Sequence, residues 1–429
     1  MPINENQDSK LKEKHTIVFI GSFQLPSGNA AGIRIREVAR LFQRLGFSTI
    51  LVGVASDPEL QYGEIRELGK IETDSDIVAW EVGHARTTMQ WLQQVTQNSG
   101  AEEIIREQYS NNLLGVVCYN YPAVAQLKVA RFARRMGAFA VADVTEWFDI
   151  RKPNTIRSIA KNIDTFLSMR WANRKMDGII TCSPYLTKYY QCRHGSRYAL
   201  LEIPTFVAPT RDLEDEKVLD LDRDDSRKNL MFAGTGFDPD KLNRPLSAEN
   251  LKDRLDWIVD LLYEVHRSGV DFHLDVFGAE RKKYLEICPE QADTLEKMGD
   301  KINFMGIRPY REVIDTLKKS DFSIYMRMPS RLTLAGFPTK FTEAMVYGVP
   351  VLTNKMENIA PHLKDGKNGF FLDIDCRKKA VNTLNYALNM TPKEIAVMKT
   401  NCLENRSTSI ENYIVPTEEF VRKVQEKSV

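Results

Sequence analysis

The chain is predicted to fold as two successive α/β domains, each a mostly parallel sheet covered on both faces by helices. Three observations carry this. Short apolar runs alternate with helical patterns from residue 15 onward. The alternation breaks over residues 201–228, an acidic stretch with two prolines, and then restarts. A chain of 429 residues also exceeds what one ordinary core accommodates. In such a pair the site is expected in the cleft, at the carboxyl ends of both sheets.

The elements follow in order. Residues 15–21 (HTIVFIG) read as a buried strand ending in glycine. A helix follows, with Ile35, Val38, Leu41, Phe42 and Leu45 on one face and Gly46 as its stop. Strands are expected at 48–54, 113–118, 138–144 and 178–182, with helices at 122–135 and after 183. In the second half, strands are expected at 229–233, 273–278, 302–306, 321–327, 349–354 and 369–372. Helices are expected at 251–267, 310–319 and 339–347, the last closed by Gly348 with Pro350 beyond. The predicted organisation is a disordered 1–14, a first domain 15–204, a linker 205–228, a second domain 229–410 and a C-terminal helix 411–429. Nothing repeats at a solenoid period.

Composition narrows the function classes. The net charge is +1, which argues against a general nucleic-acid binder. Cys118, Cys182, Cys192, Cys288, Cys376 and Cys402 are scattered without a CxxC pair, as in reduced, mostly buried thiols. The six histidines form no HxxH or HExxH pattern, so no metal is expected. The first fourteen residues lack the apolar core of a signal peptide. No apolar run approaches the ~18 residues that span a bilayer. A cytoplasmic protein is expected, with any membrane contact peripheral.

The richest stretch chemically is 327–343, RMPSRLTLAGFPTKFTE. Arg327, Arg331 and Lys340 gather at one strand-to-helix crossing, Gly336 allows close backbone approach, and Thr339 is a good N-cap. A helix start carries partial positive charge and free amides that suit phosphate, and guanidinium forks add bidentate contacts. Glu343, one turn on, could accept from a ribose diol. A capped helix with solvated charges explains the same residues, and from the residues alone both readings stay open.

The string AGFPTKFTEAMVYGVPVLTN resembles the nucleotide-sugar motif of retaining, family-four (group 1) glycosyltransferases of GT-B architecture, two Rossmann-like domains facing across a cleft. Gly336, Phe337, Glu343, Ala344, Gly348 and Pro350 carry the match. The resemblance implies that Glu343 binds the donor ribose. The family's first glutamate, on the sugar ring, falls at Ala335, a departure that puts that contact in doubt. The Gly-Phe-Pro-Thr-Lys string is similar to a polysaccharide-assembly subgroup. FAGTGF at 232–237 resembles the family's diphosphate turn, through Gly234, Thr235 and Gly236, with Lys241 and Arg244 following. No arginine stands in that turn, so Arg327, Arg331 and Lys340 are expected to supply its charge. LPSGNAAGIRIREVARLF at 25–42 resembles the first glycine-rich loop, through Gly28, Asn29 and Gly32. It is not a GxGxxG fingerprint, and no acid ends the second strand, which disfavours a dinucleotide oxidoreductase.

The histidine of many family members is missing. Asp143, Glu146 and Asp149 stand instead in ADVTEWFDI and are expected to face the sugar or the acceptor hydroxyl. Alternatively, Glu146 and Asp149 only begin the next helix. Residues 151–175 hold Arg151, Lys152, Arg157, Lys161, Arg170, Arg174 and Lys175 against the single acid Asp164, either a solvated face or a contact with anionic lipid. The implied reaction moves a hexosyl group from a nucleoside diphosphate sugar to a hydroxyl of a glycan or lipid-linked glycan, with retention. No metal, cofactor or nucleic acid takes part in that scheme. The rival readings are a sugar-nucleotide epimerase and a non-catalytic, transferase-like partner subunit.

Overall fold

The computed structural model describes residues 15–25, 30–55, 57–72, 75–147, 156–194, 198–208, 227–234 and 251–428. Residues 1–14 and most of the expected linker lie outside these. The chain divides into two compact units. The first takes Met1–Phe206, Ala335–Phe337 and Ser409–Val429, and the second takes Val207–Leu334 and Pro338–Thr408.

The first unit holds an eight-stranded sheet. Its strands are β1 (Thr16–Gly21), β2 (Ser48–Val54), β3 (Ile65–Glu72), β4 (Ser75–Val82), β5 (Leu113–Tyr119), β6 (Phe139–Val144), β7 (Gly178–Thr181) and β8 (Ala199–Glu202). Their order is β3-β4-β2-β1-β5-β6-β7-β8. All neighbours pair parallel except β3 and β4. β1, β5 and β6 are buried at every position, as strands with helices on both faces must be. The antiparallel β3–β4 edge was not anticipated. Its outer strand, IRELGKIE, carries four charges, Arg66, Glu67, Lys70 and Glu72, and is interrupted by Gly69, which sits at φ 71 beside a register shift.

The first core joins Phe19, Phe42, Val117 and Val141 to Phe420, Val421 and Val424 of the last helix, Ile414–Ser428. The segment read from sequence as a separate C-terminal helix therefore completes the N-terminal core. Its apolar face needed a partner, and periodicity alone does not say which one. Gly178 on β7 makes room for it: a Cβ there would lie 2.6 Å from both Phe420 Cζ and Val424 Cγ1.

The second unit holds β9 (Lys228–Ala233), β10 (Phe272–Phe277), β11 (Ile302–Gly306), β12 (Phe322–Ile324), β13 (Val351–Asn354) and β14 (Gly369–Leu372), in the order β11-β10-β9-β12-β13-β14. Every pairing is parallel. In both sheets the chain starts in the middle, winds outward, then returns to the other side of its first strand. Each is a Rossmann-like sheet with a switch point, between β1 and β5 in one and between β9 and β12 in the other. The protein is thus an α/β chain of two Rossmann-like domains.

Gly46 at φ 88 and Gly348 at φ 69 follow the helices Ala30–Arg44 and Thr339–Val346, where the sequence predicted stops, and both are in the left-handed conformation. Cys118, Cys182, Cys288 and Cys402 are buried and Cys192 is exposed. Among the described residues no helix is long and apolar enough to cross a membrane.

Candidate functional site

In the second unit, charge collects where the theory of such sheets places a ligand, at the carboxyl ends of β9 and β12. The chain leaving β12 runs through Tyr325 and Met326 to Arg327. Asn354, the last residue of β13, fixes that run. Its side-chain Oδ1 accepts from the Arg327 backbone amide at 2.8 Å, and its Nδ2 donates to the Arg327 backbone carbonyl at 2.9 Å. The Arg254 amide donates to the Met326 carbonyl at 2.8 Å, which brings the segment before helix Leu255–Arg267 against the same strand end. Asp253 thereby arrives between two cations. It accepts from Arg327 Nε at 2.6 Å and from Lys340 Nζ at 2.8 Å. Arg327 and Asp253 are buried, and Lys340 is mostly so.

Aromatic rings complete the seat. Lys340 Nζ lies 5.2 Å from the centre of the Phe232 ring and 5.4 Å from that of Tyr325, and the Arg327 guanidinium lies 5.6 Å from that of Tyr325. Burial alone would raise the Asp253 carboxyl. The charges of Arg327 and Lys340 and the hydrogen bonds from both outweigh it and hold the group well below the usual carboxylate range. Burial lowers Lys340, as does the Arg327 charge, while Asp253 pulls it back up. Within the trio of Arg327, Lys340 and Asp253 two cations meet one carboxylate, in surroundings where water screens charge poorly; Lys252 also acts on Lys340, and Lys340 on Glu343.

Gly234 closes the cluster from β9. A Cβ there would stand 2.8 Å from the Phe232 ring and 3.3 Å from Asp253 Oδ2. Glu343 lies one turn beyond Lys340 on helix Thr339–Val346 and accepts from the Tyr310 hydroxyl at 3.0 Å. Burial raises its carboxyl, and Tyr310 and Lys340 pull it partly back.

The structure thus brings Arg327, Lys340, Gly234 and Glu343 into one unit of the molecule. Arg331 is exposed at the start of the short helix Arg331–Ala335, whereas the cations seen to donate to Asp253 are Arg327 and Lys340. Thr339 is the first helical residue rather than the cap; Pro338 takes the cap position and offers no side-chain acceptor. Asp253 and Tyr310 escaped the sequence reading. Thr235, Gly236, Lys241 and Arg244 lie outside the described residues.

The first unit places its residues differently. Gly32 is buried within helix Ala30–Arg44. Asp143 ends up in the interior, not at a surface. Both its oxygens accept from Arg34, Nη2 at 2.8 Å and Nε at 3.2 Å, and Arg34 Nη1 donates to the Ile203 carbonyl at 2.9 Å. Both side chains are almost wholly buried. Burial disfavours the Arg34 charge, but Asp143 more than offsets this and raises the group. The expected substrate contact at Asp143 is replaced by a tie between a helix, β6 and the chain leaving β8. Glu146 is exposed just past β6 in non-helical chain, and the next described helix starts at Ile156. Gly28, Asn29 and Asp149 lie outside the described residues. Among the described residues no three His, Cys, Asp or Glu side chains come together as a metal site would require.

Residues 246–389 match the family profile described as glycosyl transferases group 1, a span that includes Asp253, Arg327, Lys340 and Glu343. No curated protein sequence matches the chain. Among solved structures, the chain is similar to sucrose-phosphate synthase from Thermosynechococcus elongatus, with a TM-score of 0.63 at 12% identity over 96% of this chain and 100% of that one. The catalytic domain of starch synthase IV from Arabidopsis thaliana, bound to ADP and acarbose, gives a TM-score of 0.63 at 12% identity over 96% and 100%. An Anabaena protein in complex with UDP and glucose gives 0.58 at 13% identity over 94% and 99%. At these identities the likeness is one of fold, the two-domain GT-B arrangement of Rossmann-like sheets.

Proposed function

We propose that the protein is a glycosyltransferase that takes a hexosyl group from a nucleoside diphosphate sugar and passes it, with retention, to a hydroxyl of a glycan or lipid-linked glycan in polysaccharide assembly. The observation that carries this reading is the positive excess of Arg327 and Lys340 over Asp253 at the switch point of the second sheet. The match of that segment to the group 1 family and the ADP- and UDP-bound structural relatives support it.

In this reading the diphosphate lies against Arg327 and Lys340, and the ribose diol donates to Glu343. Asp253 holds both cations in place before the donor arrives. As the bond from the anomeric carbon to the diphosphate lengthens, negative charge grows on the departing oxygen. Cations already oriented and poorly screened stabilise that charge more than they stabilise the bound donor, which is where rate enhancement originates. The bond breaks with its electron pair going to the diphosphate, and the acceptor hydroxyl supplies the new oxygen and passes its proton to an oxygen of the departing diphosphate. This assignment leaves the charge-neutralising role to side chains without a metal.

The test is thermal stabilisation by a panel of nucleoside diphosphates and their sugar conjugates, with and without EDTA. A ligand at 100 times its Kd adds about 2.7 kcal/mol. One nucleotide should stabilise the wild type, undiminished by EDTA, and fail to stabilise Glu343→Ala. A panel without any shift would overturn the reading. Incubating the bound donor without acceptor then separates the alternatives. An epimerised sugar identifies an epimerase, and an untouched donor in the presence of every acceptor identifies a non-catalytic partner subunit.

A further inference from the structure

The helix Ile156–Leu167 of the first unit and the turn Ser168–Ala172 that continues it leave large apolar side chains in solvent. Ile159 is 46% exposed, Ile163 54%, Phe166 43% and Trp171 49%. The first three recur at spacings of four and three, so they share one helix face. Monomeric soluble proteins seldom leave such a row uncovered unless something binds there.

The charge around this row has one sign. Lys161, Arg170 and Lys175 are exposed beside it, and the Arg170 guanidinium stacks 4.3 Å from the centre of the Phe166 ring. The one acid of the segment, Asp164, is turned inward, where it accepts from the Ala123 amide at 2.8 Å at the start of helix Ala123–Arg135. That neighbouring helix packs against Ile156–Leu167, contains no acid and exposes Lys128, Arg131, Arg134 and Arg135. Arg134 also pairs with Asp177.

We propose that this surface docks on an anionic lipid bilayer, with Ile159, Ile163, Phe166 and Trp171 entering the interface and the surrounding lysines and arginines meeting lipid phosphates. Apolar residues on one face, aromatic rings among them and a basic surround are what an interfacial helix requires. The long stems of Lys161 and Arg170 let their charged ends remain at headgroup level while the ring beneath is buried. A second copy of the chain is the poorer occupant. A two-fold contact would set this cationic face against itself, whereas a bilayer of anionic lipid supplies the opposite charge.

The experiment is co-sedimentation of the full chain with vesicles of equal parts phosphatidylglycerol and phosphatidylcholine, against pure phosphatidylcholine. The wild type should pellet with the anionic vesicles and much less with the neutral ones, and Trp171 fluorescence should shift to the blue on binding, a shift lost in Trp171→Phe. Ile163→Ser/Phe166→Ser and Arg170→Gln/Lys175→Gln should each lower the partition coefficient roughly tenfold or more. Unchanged melting temperatures show that the variants fold. A wild type that stays in the supernatant would overturn the proposal, as would either folded double variant binding as the wild type does. Sedimentation of the wild type as a dimer that Ile163→Ser/Phe166→Ser converts to monomer, without vesicle binding, would assign the face to a second copy instead.

Discussion

Each of the two sheets buries a carboxylate against arginine, and the two clusters differ in their charge count. In the first unit Arg34 meets Asp143 one to one, both oxygens are occupied, and the charge is balanced. In the second, Asp253 meets both Arg327 and Lys340, and one positive charge is left over. A balanced buried pair holds elements together and offers nothing to a ligand. An unbalanced one is held in place by its carboxylate and still attracts an anion. Both sheets wind outward from a central first strand and return to its other side, so the architecture does not make this distinction; the stoichiometry of charge does.

The largest break in the comparison comes from Arg34→Met. It leaves the Asp143 carboxylate buried without its partner, at a cost of about 3–5 kcal/mol. Urea unfolding should show that loss while the nucleotide-induced thermal shift persists. A loss below about 1 kcal/mol would mean that the pair is not the tie its geometry indicates.

Lys340→Ala removes the surplus instead. Turnover should fall about 10²-fold, the scale of losing one preorganised charge, with only a small loss of stability. Near-normal turnover would take Lys340 out of the mechanism.

Asp253→Asn sharpens the contrast from the other side. With the carboxylate gone, Arg327 and Lys340 repel each other, and stability at neutral pH should fall by about 1–3 kcal/mol. A nucleoside diphosphate should then raise the melting temperature more than it does in the wild type, because it replaces the lost anion. Equal shifts would contradict that exchange. The pH dependence has a fixed sign. The folded carboxyl is held below its unfolded value, so its contribution is complete above an unfolded pKa of about 4 and is lost as the pH falls below it. The wild type should therefore lose stability in that acid range more steeply than Asp253→Asn.

An effect of similar size is expected from two glycines at matching places, Gly21 at the end of β1 and Gly234 just past β9. A Cβ at Gly21 would lie 3.0 Å from the Tyr119 carbonyl, and one at Gly234 would press on the Phe232 ring and Asp253. Each alanine should cost about 1–3 kcal/mol. Only Gly234→Ala should also weaken nucleotide binding, measured by calorimetry.

The sequence made the alternating strands and helices readable because they are local. Residues 48–54, 302–306 and 310–319 were bounded correctly from apolar spacing alone. The cations at Arg327 and Lys340 were legible for the same reason, since one short stretch holds them both. Asp253 was not. It lies 74 residues from Arg327 in the chain, among other acids and lysines, and only the approach of its segment to the end of β12 singles it out. Asp143 misled because a carboxylate at a strand end looks available until Arg34, 109 residues earlier, is seen to fill it. The β3 edge was missed because its charges conceal a strand with one face in solvent.

The last helix has a consequence in time. Phe420, Val421 and Val424 belong to the core built around β1, β6 and β7, so strands made early cannot finish packing until a helix made much later has emerged. Until then the first sheet carries an open apolar seat beside Gly178. A chain cut short before that helix therefore carries its defect far upstream of the cut, where chaperones and proteases find it.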